Sequence, residues 1–269
     1  YRADYPYLYR APKGYSESEA VEYYIDKIRK VFEESSPAQF VAAIVVEPVQ
    51  GEGGFIPAPI EWVQAIRKIC DENGILLIAD EVQTGFARSG KMFVSDYWAE
   101  AGAAPDILAS AKSIAGGVPL SAITGGATIM DGVTPGIIGG TYGGNALATA
   151  SALQVIDIME KEDLPGRAAE IASKVRGTFT AWKDEYAEIG DVRGIGCMLG
   201  IEFVKDKDSK EPNAGLVTAV VNEAARNGLI IESAGIFGNV IRFLCPLVAT
   251  DAQIDAGLAI LKKAIDASV

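Results

Sequence analysis

Three short apolar runs, residues 41–46, 75–79 and 106–111, each stop on an ionisable side chain: Glu47, Asp80 and Lys112. Runs of this length without polar alternation suit strands covered on both faces, as parallel sheets require. Parallel neighbours need a crossover of a dozen or more residues. The sequence supplies one over residues 60–73, where Trp62, Ile66 and Ile69 share a helical stripe that ends at Gly74, a common helix breaker. Residues 16–34 predict another helix, with Val21, Tyr24, Ile25, Ile28 and Phe32 at helical spacing and a capping box from Ser16 to Glu19. A fourth strand is expected over 123–130. This order predicts an α/β fold with a mainly parallel, doubly wound sheet. Ligands of such sheets bind outside the carboxyl ends of the strands, so Glu47, Asp80 and Lys112 are expected to face one region.

The second half follows a different pattern. A long helix over 145–160 is expected to leave the first domain. After it come helix 167–186, strand 196–204, a charged turn at 205–210, helix 215–227, two further strands and a closing helix from Thr250. The expected division is a large domain over 1–160 and a smaller α+β domain over 161–269.

Composition then excludes several functions. The chain carries a formal net charge of -12 and no histidine. Without a Lys/Arg cluster to neutralise phosphates or anionic lipids, neither nucleic acid nor membrane is an expected partner. No stretch resembles a signal peptide, and no apolar run is long enough for a membrane span. Cys70, Cys197 and Cys245 lie far apart without Cys-x-x-Cys spacing, which argues against a disulfide framework or a metal site and for small buried hydrophobes in a reducing cytoplasm. Absent histidine, catalysis falls to Lys, Asp, Glu, Tyr, Ser/Thr or a cofactor.

Taken singly, each charged strand end would be an ordinary solvated group. Together, and in glycine-rich settings, they point to a site. A desolvated lysine among small residues suits attack on a carbonyl carbon, and a carboxylate on the neighbouring strand suits the protonated ring nitrogen of pyridoxal phosphate. Lys112 and Asp80 match those two needs.

The segments IVVEPVQGEGG (44–54), LLIADEVQTGFARSG (76–90), SAKSIAGGVPLSAITG (110–125), GGTYGGNALA (139–148), GDVRGIGCMLGIE (190–202) and NVIRFLCPL (239–247) resemble, in this order, the class III aminotransferases of fold type I, and among them the 4-aminobutyrate aminotransferases. The resemblance implies part of the fold type I large domain plus a C-terminal smaller domain, with pyridoxal 5'-phosphate as cofactor. It implies that Lys112 forms the Schiff base and is the base of the 1,3-proton transfer, that Asp80 pairs with the pyridinium nitrogen, that Val82 packs on the ring face and that Gln83 hydrogen-bonds the phenolic oxygen. Thr141 would reach the cofactor phosphate of a partner subunit, which implies a homodimer or higher assembly. Arg242 would bind the α-carboxylate of glutamate or 2-oxoglutarate, Glu52 would mask it when 4-aminobutyrate is bound, and Glu47 would support the substrate pocket. Read without the family, Arg242 is a salt-bridge residue and 139–145 an ordinary turn.

The family carries a long region ahead of the residue matching Tyr1, so the chain is expected to be its C-terminal portion, with open sheet edges and weak cofactor binding on its own. Residues 14–20 superficially resemble the missing phosphate turn but precede a connecting segment rather than a site. Other class III activities, on ornithine, β-alanine or diamines, or racemisation on the same fold, stay open, as does an inactive fragment or non-catalytic remnant. Nucleotide binding is disfavoured, because no strand is followed by G-x-G-x-x-G or G-x-x-x-x-G-K-[ST].

Overall fold

A computed structural model describes residues 1–137 and 139–269. In chain order its elements are α1 (Glu17–Glu34), β1 (Ala43–Val46), β2 (Val49–Gln50), β3 (Ile56–Pro57), α2 (Ile60–Asn73), β4 (Leu76–Asp80), α3 (Ser95–Glu100), β5 (Ile107–Ser110), β6 (Ala122–Gly125), α4 (Ala127–Met130), α5 (Ala146–Lys161), α6 (Leu164–Glu185), β7 (Ile189–Ile195), β8 (Met198–Phe203), α7 (Ala214–Arg226), β9 (Glu232–Ala234), β10 (Val240–Phe243) and α8 (Asp251–Asp266). The chain divides into two compact units. The first is Tyr1–Pro48, Ala58–Phe86 and Lys91–Asp163; the second is Val49–Pro57, Ala87–Gly90 and Leu164–Val269.

The first unit holds a sheet in the order β1-β4-β5-β6, with β1, β4 and β5 parallel. Its helices start and stop as their local chemistry dictates. The Ser16 and Glu19 side chains cap α1 reciprocally, and Gly74 ends α2 at φ 66, a conformation that costs glycine nothing. Arg67 on α2 contacts Asp106 at 2.7 Å, and the same carboxylate accepts the Leu77 N–H at 2.7 Å, so one ion pair ties the helix to the β4 and β5 segments. Two expectations need correction. Strand β1 is an outer strand with Val45 64% exposed, not one covered on both faces. Strand β6 is confined to 122–125 and runs antiparallel to β5, while 127–130 are helical. The connection over 111–121 is too short for a parallel crossover, so the chain doubles back.

The second unit holds an antiparallel sheet in the order β7-β8-β10-β9. Strand β8 is buried along its whole length, and α6 packs on the β7 and β8 strands with Val175 and Phe179 among its buried residues. Strand β7 escaped the sequence reading: IGDVRGI has two glycines and two charges in place of an apolar alternation, and it is held by its ladder to β8. The β7–β8 turn passes through Gly196 at φ 51, where an added Cβ would lie 2.3 Å from the Ser89 backbone. The short hairpin β2–β3 also belongs to this unit.

Candidate active site

In the first unit, the pairing of Val46 with Ala79 and of Asp80 with Ala109 aligns the carboxyl ends of β1, β4 and β5. Glu47, Asp80 and Lys112 therefore leave the sheet at one end, as the strand-end argument requires. Asp80 is half-buried, and one of its oxygens accepts the Val82 N–H at 3.1 Å; its other oxygen has no hydrogen bond among the described residues. Lys112 opens a single 3-10 turn at φ 43. Left-handed backbone at a bulky residue stores strain, and such strain concentrates at functional sites. The lysine is exposed rather than desolvated, and its amine has no hydrogen bond or ion pair among the described residues. Glu47 is exposed just past β1, its backbone carbonyl accepting the Tyr5 hydroxyl at 2.9 Å.

Val82 and Gln83 are half-buried on the turn after β4. What aims that turn is Glu81, which sequence reasoning missed. Its side chain is fully buried and accepts the Ser95 N–H at 2.6 Å, the Ser95 hydroxyl at 2.7 Å and the Thr84 hydroxyl. A carboxylate with that many donors is fully satisfied, so the loop is anchored from beneath. Thr141 lies exposed ahead of α5. Two of the first-turn N–H groups of that helix are already taken, since the Asn145 side chain accepts from Leu147 at 3.0 Å and Ala148 at 3.2 Å.

In the second unit, Arg242 on β10 has a side chain only 10% exposed. Its Nη1 reaches Glu52 on the β2–β3 hairpin at 2.6 Å, its Nη2 reaches Glu232 on β9, and its guanidinium lies 5.9 Å from the Phe55 ring centre. Glu232 is the second residue the sequence reading missed; it faces Arg242 because the two are register partners. Beneath the hairpin, Arg193 donates through Nε to the Gly54 carbonyl at 2.9 Å and pairs with the fully buried Glu202 at 2.6 Å. Burial pushes the Glu202 carboxyl up to about 7, against the hydrogen bond from the Asn239 side chain that holds it down.

The first group fits pyridoxal phosphate on its own structural terms. The Gln83 amide oxygen is buried with no donor among the described residues, and a buried acceptor needs one. Asp80 keeps an oxygen free for a ring N–H, and Lys112 offers an uncommitted amine. No cluster suited to a metal ion occurs among the described residues.

The pattern of the family described as Aminotransferase class-III matches residues 1–265. The 4-aminobutyrate aminotransferase GabT of Escherichia coli (strain K12) is 44% identical over 263 residues, covering 97% of this chain and 60% of that protein. The 5-aminovalerate aminotransferase DavT of Pseudomonas putida is 46% identical over 239 residues, 89% of this chain and 55% of that one. Among solved structures, an amine transaminase from an uncultivated Pseudomonas species with pyridoxal phosphate bound superposes with a TM-score of 0.90 at 36% identity, over 99% of this chain and 61% of that one. The chain thus spans about three fifths of the length of the relatives it matches. With its strand-end lysine and aspartate and a family pattern that runs almost from end to end, the chain belongs to the class III aminotransferases.

Proposed function

We propose that the protein carrying this chain is a pyridoxal phosphate-dependent transaminase that moves an amino group from an ω-amino acid such as 4-aminobutyrate to 2-oxoglutarate. The observation that carries the reading is Arg242: its side chain is 10% exposed, yet that of the Glu52 paired with it is 77% exposed. A sheltered guanidinium under a solvent-facing carboxylate can be uncovered at modest cost. With Glu52 turned aside, Arg242 takes the α-carboxylate of glutamate or 2-oxoglutarate bidentately. With Glu52 in place, its charge is neutralised and an amine-bearing carbon that carries no carboxylate is tolerated. Relatives named for 4-aminobutyrate and 5-aminovalerate support a donor with a terminal amine.

The cofactor, when bound, supplies an electron sink for charge developing on the substrate carbon. Lys112 Nζ is the point of covalent attachment and then carries the proton between the carbons that exchange the amino group. Asp80 keeps the ring nitrogen protonated, Gln83 Oε1 accepts the ring hydroxyl, and Val82 covers a ring face. Thr141 reaches the phosphate held by a second copy. Tyr142, Leu147 and Leu153, exposed at 82%, 73% and 66%, support a homodimer around that segment. Glu47 lines the substrate side. The partners are small amino and keto acids, in the cytoplasm, with neither nucleic acid nor membrane; no described helix is long and apolar enough to cross one.

The test is borohydride reduction after incubation with pyridoxal phosphate, followed by peptide mapping. The pyridoxyl adduct is expected on Lys112 and is lost in Lys112→Ala; adducts scattered over surface lysines would sink the reading. In the complete protein, Arg242→Ala should slow the 2-oxoglutarate half-reaction about 10- to 100-fold, from the loss of a charged hydrogen-bonded pair, and leave the 4-aminobutyrate half-reaction within a few-fold.

A further inference from the structure

The guanidinium of Arg242 carries one carboxylate more than the expected Glu52. Glu232 is the register partner of Arg242 across the β9–β10 ladder, and residues directly opposite in a ladder project from the same face of the sheet. The Glu232 carboxylate accepts from Nη2, while Glu52 accepts from Nη1 at 2.6 Å. The Phe55 ring centre lies 5.9 Å from the guanidinium carbon, and Nε is buried without a partner among the described residues. All of these groups belong to the second unit.

The two carboxylates are anchored differently. Glu52 sits on the turn between β2 and β3, where its backbone carbonyl accepts the Gly235 N–H at 2.9 Å. Its side chain is 77% exposed, so turning it into solvent opens Nη1. Glu232 hangs from the strand beside Arg242. Its side chain is 70% exposed and can change rotamer, but the ladder fixes its Cα about 4.5–5.5 Å from that of Arg242 and keeps its charge on the guanidinium's face of the sheet. A guanidinium offers a carboxylate two forks, Nη1 with Nη2 and Nε with Nη2. Both run through Nη2, the nitrogen that Glu232 holds. Departure of Glu52 alone therefore presents no fork clear of a carboxylate, and an incoming α-carboxylate meets a like charge beside the cation that attracts it.

We infer that Glu232 is a specificity-determining residue that acts through Arg242: by holding Nη2 it weakens capture of α-carboxylates and tilts the site toward substrates whose amine-bearing carbon carries no carboxylate. The inference deepens the proposed function and rests on its assignment of Arg242 to the α-carboxylate. Glutamate and 2-oxoglutarate must displace Glu232 from Nη2 or share that nitrogen with it, whereas 4-aminobutyrate leaves both carboxylates where they are. Because Glu232 is largely exposed, its competition is worth about 3- to 5-fold in affinity. It acts on the bound substrate and on the reacting one alike, so it moves KM rather than kcat. A purely structural ion pair, holding the edge strand β9 to β10, would instead affect both substrate classes equally.

The experiment compares Glu232→Gln, which removes the charge and keeps the shape, with the unsubstituted complete protein loaded with pyridoxal phosphate. The ratio of kcat/KM for glutamate to that for 4-aminobutyrate is expected to rise about 3- to 5-fold, through the KM for glutamate. Glutarate has both carboxylates of 2-oxoglutarate and no carbonyl to react, so its binding by calorimetry needs no turnover; it should tighten by the same factor. Glu232→Asp keeps the charge on the same strand and should hold the ratio within about 2-fold of the unsubstituted protein. An unmoved ratio with unmoved glutarate affinity, a ratio that falls, or equal changes for both substrates would overturn the inference. Arg242→Ala separates it from the reading beneath it. Weakened glutamate and glutarate binding in that variant, with Glu232→Gln silent, removes the inference alone; if Arg242→Ala leaves both unchanged, the assignment of Arg242 falls and the inference with it.

Discussion

The lysine group of the first unit and the arginine group of the second handle charge in opposite ways. Lys112 is exposed on strained backbone, its amine without a partner among the described residues, and the nearby Gln83 oxygen is buried without a donor. Arg242 is sheltered, with a carboxylate on each of two guanidinium nitrogens, and below it Arg193 and Glu202 form a second pair with Glu202 fully buried. Groups left unpaired by their own chain keep their bonding capacity for a ligand. Groups paired within the chain hold the fold together and must be released before they can bind anything else. The first unit thus keeps groups open for the proposed cofactor, whereas in the second Arg242 is held by two carboxylates and keeps only its buried Nε without a partner among the described residues.

Substitutions should separate the two groups by their effect on stability. The largest effect is expected for Arg193→Ala, which strands the Glu202 carboxylate in the core and frees the Gly54 carbonyl that anchors the hairpin; about 3–5 kcal/mol should be lost in urea unfolding. Arg242→Ala should cost less, about 1–2 kcal/mol, because Glu52 and Glu232 are 77% and 70% exposed and return to water. Lys112→Ala should shift the same unfolding curve by no more than about 0.5 kcal/mol, despite removing the proposed cofactor attachment. A Lys112→Ala loss equal to that of Arg193→Ala would erase the distinction between the two groups. A loss for Arg242→Ala near zero would sharpen it, by placing all the stabilising charge in the Arg193–Glu202 pair.

Much of the fold was legible where the signal is local. The reciprocal cap at Ser16 and Glu19, the left-handed Gly74 and the cap at Thr250 with Gln253 each lie within a few residues of the helix end they set. Strand β7 was not legible, because its place comes from a ladder to β8 and not from its own alternation. The antiparallel turn of β6 and the exposure of Val45 follow from which strands end up outermost, a property of the sheet and not of either segment. Among site residues, Asp80 and Lys112 could be found because a strand end in a parallel sheet is a position with chemical meaning. Glu81 and Glu232 carried no such mark: a carboxylate beside a motif or on a short edge strand looks like any solvated charge until its donors are known.

The sequence by itself determined the long helices, the apolar strand cores, the strand-end placement of Asp80 and Lys112, and the family to which the motifs point, since each depends on residues close together in the chain. Only the tertiary structure decided that Glu232 joins Arg242 opposite the expected partner Glu52 and that Glu81 anchors the turn after β4. Those contacts arise from strand register and burial, which are set by the packing of the whole unit and leave no trace in the local spacing of residues.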